Sequence, residues 1–186
     1  MATKKKTKIM IMVIVAMVVG SSISLAQQAN DFKGARIGDD RETIKTLFNS
    51  WTTGCRDAKP TDAYDYYCWG PTTFGGVKAF VMLIFIGDHL TNINIDFEES
   101  EFDAVVAGMK QKYGNSPEKS SQIVRTNAGV EHRNDRYTWK NGQTAITADR
   151  FSGNITESQV VFRSEAGLDK SIKRSKEAEK KRAKDM

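Results

Sequence analysis

The stretch that decides the fold runs from Ala79 to Phe97 and reads AFVMLIFIGDHLTNINIDF. Two apolar runs flank Gly87-Asp88, and a glycine in the first position of a two-residue loop favours a type II′ turn, so the stretch predicts a β-hairpin. Pairing outward from the turn predicts a core face with six members: Phe80, Met82, Ile84, Ile86, Ile93 and Ile95. The other face of the first strand would carry Val81, Leu83 and Phe85, and a strand that is apolar on both faces is normally covered on both.

A helix is predicted on each side of this hairpin. The first begins at Asp39-Asp40, and the second begins at Ser100, with Asp103 in the position of a capping-box acid. Both carry apolar residues at helical spacing, which marks the side that packs on the core. The first stripe is Ile44, Leu47, Phe48 and Trp51, and the second is Phe102, Val105, Val106, Met109 and Tyr113.

Further strands follow the second helix. The segment RYTWKNGQTAITADRF predicts a hairpin around its Asn-Gly pair, with Tyr137 opposite Ile146 and Trp139 opposite Thr144. No repeat is visible in the sequence. The order helix, strands, helix, strands predicts an α+β domain with an antiparallel sheet and helices packed on one face. The segment ESQVVFRSE adds a predicted edge strand with two side chains facing inward, Val160 and Phe162.

The beginning of the chain has the layout of a secretory signal peptide. Four lysines precede an apolar run from Ile9 to Gly20, and small residues end at Ala26. Such a run spans about 18 Å as a helix, well short of a bilayer core of about 30 Å. We therefore expect residues 1–26 to be a cleaved signal peptide, residues 27–164 to be one domain, and the protein to be periplasmic or secreted, with no stable membrane anchor after cleavage.

The positive charge of the chain lies at its two ends. The net charge is +5, while residues 165–186 alone carry eight basic and five acidic residues. The domain between the ends is slightly acidic and gives no support for nucleic-acid binding. We predict a basic tail over residues 165–186, helical or disordered, with weak electrostatic attachment to an anionic surface as the sharper alternative.

The two cysteines, Cys55 and Cys68, are predicted to form a disulfide. Zinc needs about four ligands, and these two have no histidine nearby. A redox pair of the thioredoxin kind has two residues between its cysteines, whereas here there are twelve. In an exported chain, a lone pair of cysteines is most simply a structural staple.

Aromatic side chains surround the second cysteine. Two interpretations stay open for them: they pack into the core against the disulfide, or they form a rigid recognition surface with a large contact area. The binding rim predicted by the second interpretation consists of Tyr64, Tyr66, Tyr67 and Trp69.

The sequence contains no recognisable catalytic or metal-binding pattern, and it predicts no catalytic residue, no metal ligand and no cofactor. His89 and His132 stand apart from other ligand residues, and the acidic stretch DFEESEFD does not match a calcium loop. Its carboxylates lie at a predicted helix start, where the helix dipole favours them. An Asp-Glu pair that meets only in the folded chain stays open as an alternative.

Several segments together resemble a loose group of uncharacterised small exported bacterial proteins. They are FKGARIGDDRETIKTLF, the two cysteines, TFGGV, LTNINIDF and FDAVVAGMKQKYGNSP leading to YTWKNG, and they span about residues 32 to 163. More distantly, the Gly-Asp helix start and the KYG-x-x-P helix end resemble the small outer-membrane assembly lipoproteins and the β-lactamase-inhibitor-like fold. That likeness implies a compact α+β module that works by binding protein.

We therefore expect a non-enzymatic envelope or secreted module that binds another protein or a cell-wall component. One alternative is a small hydrolase that uses Asp or Glu acid–base chemistry on an envelope or host polymer. Another is a small-ligand carrier that uses the second face of the central hairpin.

Overall fold

The computed structural model describes residues 31–48, 54–59, 62–115 and 117–184. The predicted signal peptide and Trp51 lie outside the described residues. The described part is an α+β domain with a large antiparallel sheet and three helices, as the element order of the sequence predicted.

The described part of the chain contains three helices and ten strands. The helices are α1 (Arg41–Phe48), α2 (Phe102–Tyr113), which follows a 3-10 turn at Glu99–Glu101, and α3 (Glu165–Lys184). The strands are β1 (Asp31–Phe32), β2 (Ala35–Arg36), β3 (Gly54–Asp57), β4 (Tyr66–Phe74), β5 (Val77–Ile86), β6 (His89–Glu98), β7 (Glu118–Arg125), β8 (Glu131–Asn141), β9 (Thr144–Asp149) and β10 (Glu157–Ser164).

The main sheet has eight strands in the order β3-β4-β5-β6-β10-β9-β8-β7, and every neighbouring pair is antiparallel. β10 therefore lies in the middle, between β6 and β9, and the prediction that it is an edge strand was wrong. Its inward residues, Val160 and Phe162, are fully buried as predicted. The strands at the two edges are β3 and β7.

The topology repeats although the sequence shows no repeat. α1 is followed by the meander β3–β6, and α2 is followed by the meander β7–β10. The two units join through their last strands, because β6 pairs with β10. The sheet is thus two helix-plus-four-strand units placed side by side.

The core lies between one face of this sheet and the helices α1 and α2. Ile44 and Phe48 of α1 are buried, whereas Leu47, predicted to face the core, is 42% exposed. Four of the five residues predicted on the α2 stripe are buried, and the fifth, Tyr113, packs against the core in a half-buried position. The buried α2 residues are Phe102, Val105, Val106 and Met109.

The central hairpin turns at Gly87–Asp88 as predicted, with Ile86 opposite His89, but its pairing changes one residue further on. Phe85 pairs with Leu90 and Ile84 pairs with Asn92, so Thr91 is the extra residue of a β-bulge. The Thr91 hydroxyl donates a hydrogen bond to the Ile84 carbonyl at 3.0 Å, which holds the irregularity.

The bulge reverses the predicted faces of β5. A shift of one residue moves a whole set of side chains to the opposite face. The residues predicted to lie outside the core are the buried ones: Val81, Leu83 and Phe85, packed with Ile93 and Ile95. The prediction that Phe80, Met82 and Ile84 belong to the core was wrong, since they lie on the opposite face, beside Asn92, Asn94 and Asp96. Ile86, predicted with them, alternates onto the same face but is buried.

Two other local predictions need correction. In the β8–β9 hairpin the turn residues are Gly142-Gln143, so Trp139 pairs with Ile146 rather than with Thr144. A two-residue shift keeps the same face, and Trp139 and Ile146 are buried. Asp40 caps α1, because its carboxylate accepts a hydrogen bond from the Thr43 amide at 2.8 Å. α2 continues a 3-10 turn with no side-chain cap, so the predicted Ser100 cap was wrong.

Candidate functional site

The face of the sheet opposite the core is the candidate site, and we call it the open face. Its side chains alternate along each strand with the buried residues of the core. On β4, for example, Tyr67 and Trp69 lie on either side of Cys68, which is buried toward the helices. At the β3–β5 end the open face is formed by Arg56, Tyr67, Trp69, Pro71, Phe80, Met82 and Ile84.

One arginine and three aromatic rings form a contiguous group here, the aromatic cluster: Arg56, Tyr64, Tyr67 and Trp69. Tyr67 packs edge-on against Tyr64 at a ring separation of 5.4 Å and lies tilted against Trp69 at 5.1 Å. The Arg56 guanidinium lies 5.1 Å from both the Tyr67 and the Trp69 ring centres. Arg56 Nε also donates a hydrogen bond to the Tyr67 hydroxyl. Cation–π contact and this hydrogen bond together hold the guanidinium in place.

Gly54 makes room for the Trp69 indole. The two residues are directly opposite each other across β3 and β4. A Cβ atom on residue 54 would come within 2.7 Å and 2.9 Å of two indole carbons, closer than real atoms approach. The indole can therefore lie over β3 only because residue 54 has no side chain.

The disulfide between Cys55 and Cys68 joins the same two strands from the other face. These residues are also directly opposite each other, with their Cα atoms 4.0 Å apart. Cys55 adjoins Arg56 and Cys68 lies between Tyr67 and Trp69, so the bond fixes the strand that carries the guanidinium against the strand that carries the rings. The predicted staple thus positions the aromatic cluster.

The four residues of the predicted binding rim do not all share one surface. Tyr64, Tyr67 and Trp69 belong to the aromatic cluster, while Tyr66 points to the helix face. There Tyr66 packs edge-on against Phe85 at 5.5 Å, and the Arg41 guanidinium lies 4.4 Å from its ring centre. Tyr66 therefore fits the interpretation that the aromatic residues pack inward, whereas the binding rim stays a prediction for Tyr64, Tyr67 and Trp69.

An apolar strip continues from the aromatic cluster onto β5. Ile84 pairs with Tyr67, Met82 with Trp69, and Phe80 with Pro71. Phe80 is 41% exposed, a large fraction for a phenylalanine within a strand. The strip and the aromatic cluster make this end of the open face aromatic and aliphatic.

The remainder of the open face is polar. Burial raises the pKa of Asp96, although a 2.7 Å hydrogen bond from the Gln159 amide opposes that shift. Asp149 on the next strand accepts two hydrogen bonds from Arg136, at 2.5 and 3.1 Å. Between the apolar and polar parts lies Asn94, whose Oδ1 is buried and accepts no hydrogen bond within the described part of the chain.

The other residues with the potential for chemistry have local structural roles. His89 Nδ1 lies 3.1 Å from the Gly38 carbonyl, and His132 packs edge-on against Phe151. In the acidic stretch, Glu99 and Asp103 are both ion-paired with Arg150, at 2.6 and 2.5 Å. Among residues 31–48, 54–59, 62–115 and 117–184, no group of three or more histidine, cysteine or acidic residues is placed to hold a metal ion.

Arg56 is the member of the site that sequence reasoning missed. Its role depends on β3 pairing with β4 in the register that sets Arg56 opposite Tyr67. The predicted Cys55–Cys68 bond was the available signal, because a cross-strand disulfide between directly opposed residues fixes that register. The strip on β5 was missed for a different reason, the bulge at Thr91.

Comparison with known proteins gives a family and no further relative. A family model described as "Uncharacterised protein" matches residues 32–183. No curated protein and no solved structure matches the chain. The match agrees with the resemblance to uncharacterised proteins, while the likenesses to the assembly lipoproteins and to the β-lactamase-inhibitor-like fold stay predictions. Within the described residues, none of the helices is both long and apolar enough to cross a membrane.

Proposed function

We propose a function for this chain from its own geometry, since it belongs to the family of uncharacterised proteins whose model matches it over residues 32–183. The proposed function is that of an exported, non-enzymatic module that binds another protein through the open face of its sheet. The predicted signal peptide supports export, and the disulfide is compatible with an oxidising compartment.

The observation that carries the proposal is the aromatic cluster on an otherwise regular sheet. Tryptophan, tyrosine and arginine are the residues that most often dominate the binding energy of protein interfaces. Here they are already ordered by ring contacts, by the guanidinium and by the disulfide. Pre-ordered side chains lose less entropy on binding, so more of the contact energy appears as affinity.

The chemistry of the cluster favours a protein over a sugar polymer. A sugar ring stacks on a free aromatic face, but the Arg56 guanidinium already lies over Tyr67 and Trp69. What the cluster presents is a guanidinium with spare N–H donors beside the exposed Phe80 ring. A carboxylate next to an apolar side chain on the partner is complementary to that pair.

The size of the open face also suits a protein partner. Strands lie about 4.8 Å apart, so eight of them extend about 34 Å, and strands of about eight residues are roughly 27 Å long. A footprint of about 800 Å² per partner, the size of a standard stable interface, fits within that area.

Site-specific photo-crosslinking tests the proposal. A photoreactive phenylalanine analogue at position 80 should give a protein adduct of one defined mass in cells. The same analogue at Ile123, which is 61% exposed but lies on the other face of edge strand β7, should not. Adducts of the same mass from both positions would contradict the assignment to the open face.

Variants of the aromatic cluster then measure its contribution. With the crosslinked partner in hand, Trp69→Ala should weaken binding at least about 30-fold, as expected for a hot-spot residue. Arg56→Gln removes the guanidinium from an exposed position, so it should weaken binding without unfolding the chain. If the chain instead gave no adduct and was retained on isolated cell-wall sacculi, the function would be cell-wall binding.

A further inference from the structure

The first half of the helix α3 touches the sheet, whereas the side chains that the structure describes in its second half are exposed. Gly167 is buried in the first turn, where an added Cβ would come within 2.7 Å of the Ser164 hydroxyl and 3.1 Å of Thr91. Arg174 ends this half with a 2.6 Å ion pair to Asp65, and that hydrogen bond lowers the pKa of the Asp65 carboxyl. The first half of α3 is therefore anchored across the sheet, from β10 to the start of β4.

The second half, residues 175–184, is exposed on every side that the structure describes. Its exposed side chains are Ser175, Lys176, Glu177, Glu179, Lys180 and Ala183. These exposed side chains add no buried apolar contact to the helix, and an isolated helix of about ten residues is only marginally stable in water. A surface that binds this segment would therefore also stabilise it as a helix.

The charge of this segment indicates the kind of surface. Residues 175–184 contain five basic and two acidic residues, in a chain whose predicted domain is slightly acidic. Four of the five basic residues are lysines. Lysine is a hydrated point charge suited to a diffuse anionic surface, whereas arginine suits the two-pronged recognition of individual phosphates in nucleic acid. One turn earlier, Ile172 is 44% exposed and can enter an interface between water and lipid.

We infer that the second half of α3 binds the surface of an anionic phospholipid membrane, with the helix lying on the headgroups and the sheet held beside them by the Arg174–Asp65 contact. Each basic side chain near an anionic bilayer strengthens binding about fivefold. The net excess of three positive charges gives roughly a hundredfold preference for anionic over neutral membranes. This inference does not depend on the proposed partner.

Cosedimentation of the purified protein with vesicles tests it. Vesicles with about 30% phosphatidylglycerol in phosphatidylcholine should bind the protein, and pure phosphatidylcholine should not. The double variant Lys176→Gln/Lys180→Gln should lower the partition coefficient about 25-fold. Binding should also be lost in about 1 M salt, where the screening length is about 3 Å.

A matched control keeps the test specific. Lys59→Gln/Lys78→Gln removes the same charge from exposed positions away from α3, so it should leave vesicle binding unchanged. Equal binding to both kinds of vesicle, or an equal loss in the control variant, would overturn the inference. So would binding to single-stranded DNA or heparin in the absence of binding to the anionic vesicles, since that result would identify a soluble polyanion as the ligand.

Discussion

Reduction of the Cys55–Cys68 disulfide should destabilise the protein by about 3 kcal/mol. The bond closes a loop whose ends are 13 positions apart in sequence, and the chain-entropy estimate for a loop of this size is about 3 kcal/mol. The loop includes the described turn residues 62–65 but little of the core. Within the part of the chain that the structure describes, β3 is an edge strand of four residues that pairs only with β4.

Urea unfolding with and without reductant measures this effect. With a slope of about 2 kcal/mol per molar urea, the loss corresponds to a midpoint lower by about 1.5 M. The double variant Cys55→Ser/Cys68→Ala is the control, and its midpoint should not respond to reductant. Free-thiol titration should find no thiol before reduction and two afterwards.

Two outcomes would refute the reasoning. If the urea midpoints of the oxidised and reduced protein agreed within about 0.3 M, the closed loop would not restrict the unfolded chain as the entropy model assumes. A large loss of stability with intact partner binding would mean that the disulfide does not position Arg56 against the aromatic rings. The structure predicts that both properties are lost together.

Two carboxylates give opposite pH dependences. Burial raises the pKa of Asp135, but hydrogen bonds from Ser121, Lys119 and Arg133 outweigh it and bring the pKa to about 2. The stabilisation by this carboxylate should therefore be complete above about pH 4 and lost toward pH 2, and Asp135→Asn should remove about 1–2 kcal/mol of it at pH 7 in urea unfolding. Burial raises the pKa of Asp96, so its charged form destabilises the fold at neutral pH. Asp96→Asn should raise the free energy of unfolding by up to about 1 kcal/mol at pH 7, and this gain should shrink as the pH falls through the folded pKa of Asp96. A stability difference between variant and wild type that stays the same across this pH range would count against a buried carboxylate.

The features that the sequence predicts well are local. The apolar stripes of α1 and α2 and the Gly87-Asp88 turn depend on residues a few positions apart, so period and turn chemistry suffice. The bulge also has a local signal: the apolar residues of β6 are Leu90 and then Ile93, which are three positions apart and break the two-residue period. Regular pairing from the turn ignores that break, and the prediction assigned β5 to the wrong face for this reason.

The site itself depends on contacts that no local pattern contains. Arg56 meets Trp69 only because β3 folds against β4 in one register, and Gly54 matters only because the indole lies over it. The central position of β10 depends on the joining of two units through their last strands. Residue patterns show which side chains are apolar, whereas the pairing of distant strands decides which of them share a surface.

The joined topology also argues that binding uses the face of the sheet and not its edge. Two separate four-stranded units would have four edges, and pairing β6 with β10 removes two of them. Of the two that remain, β3 is short and bonded covalently to β4. β7 is longer but carries Glu118, Lys119 and Arg125, and charged side chains discourage the addition of another strand. Both edges are thus protected against further pairing, which favours the open face, with the aromatic cluster at one end, as the surface for the proposed partner.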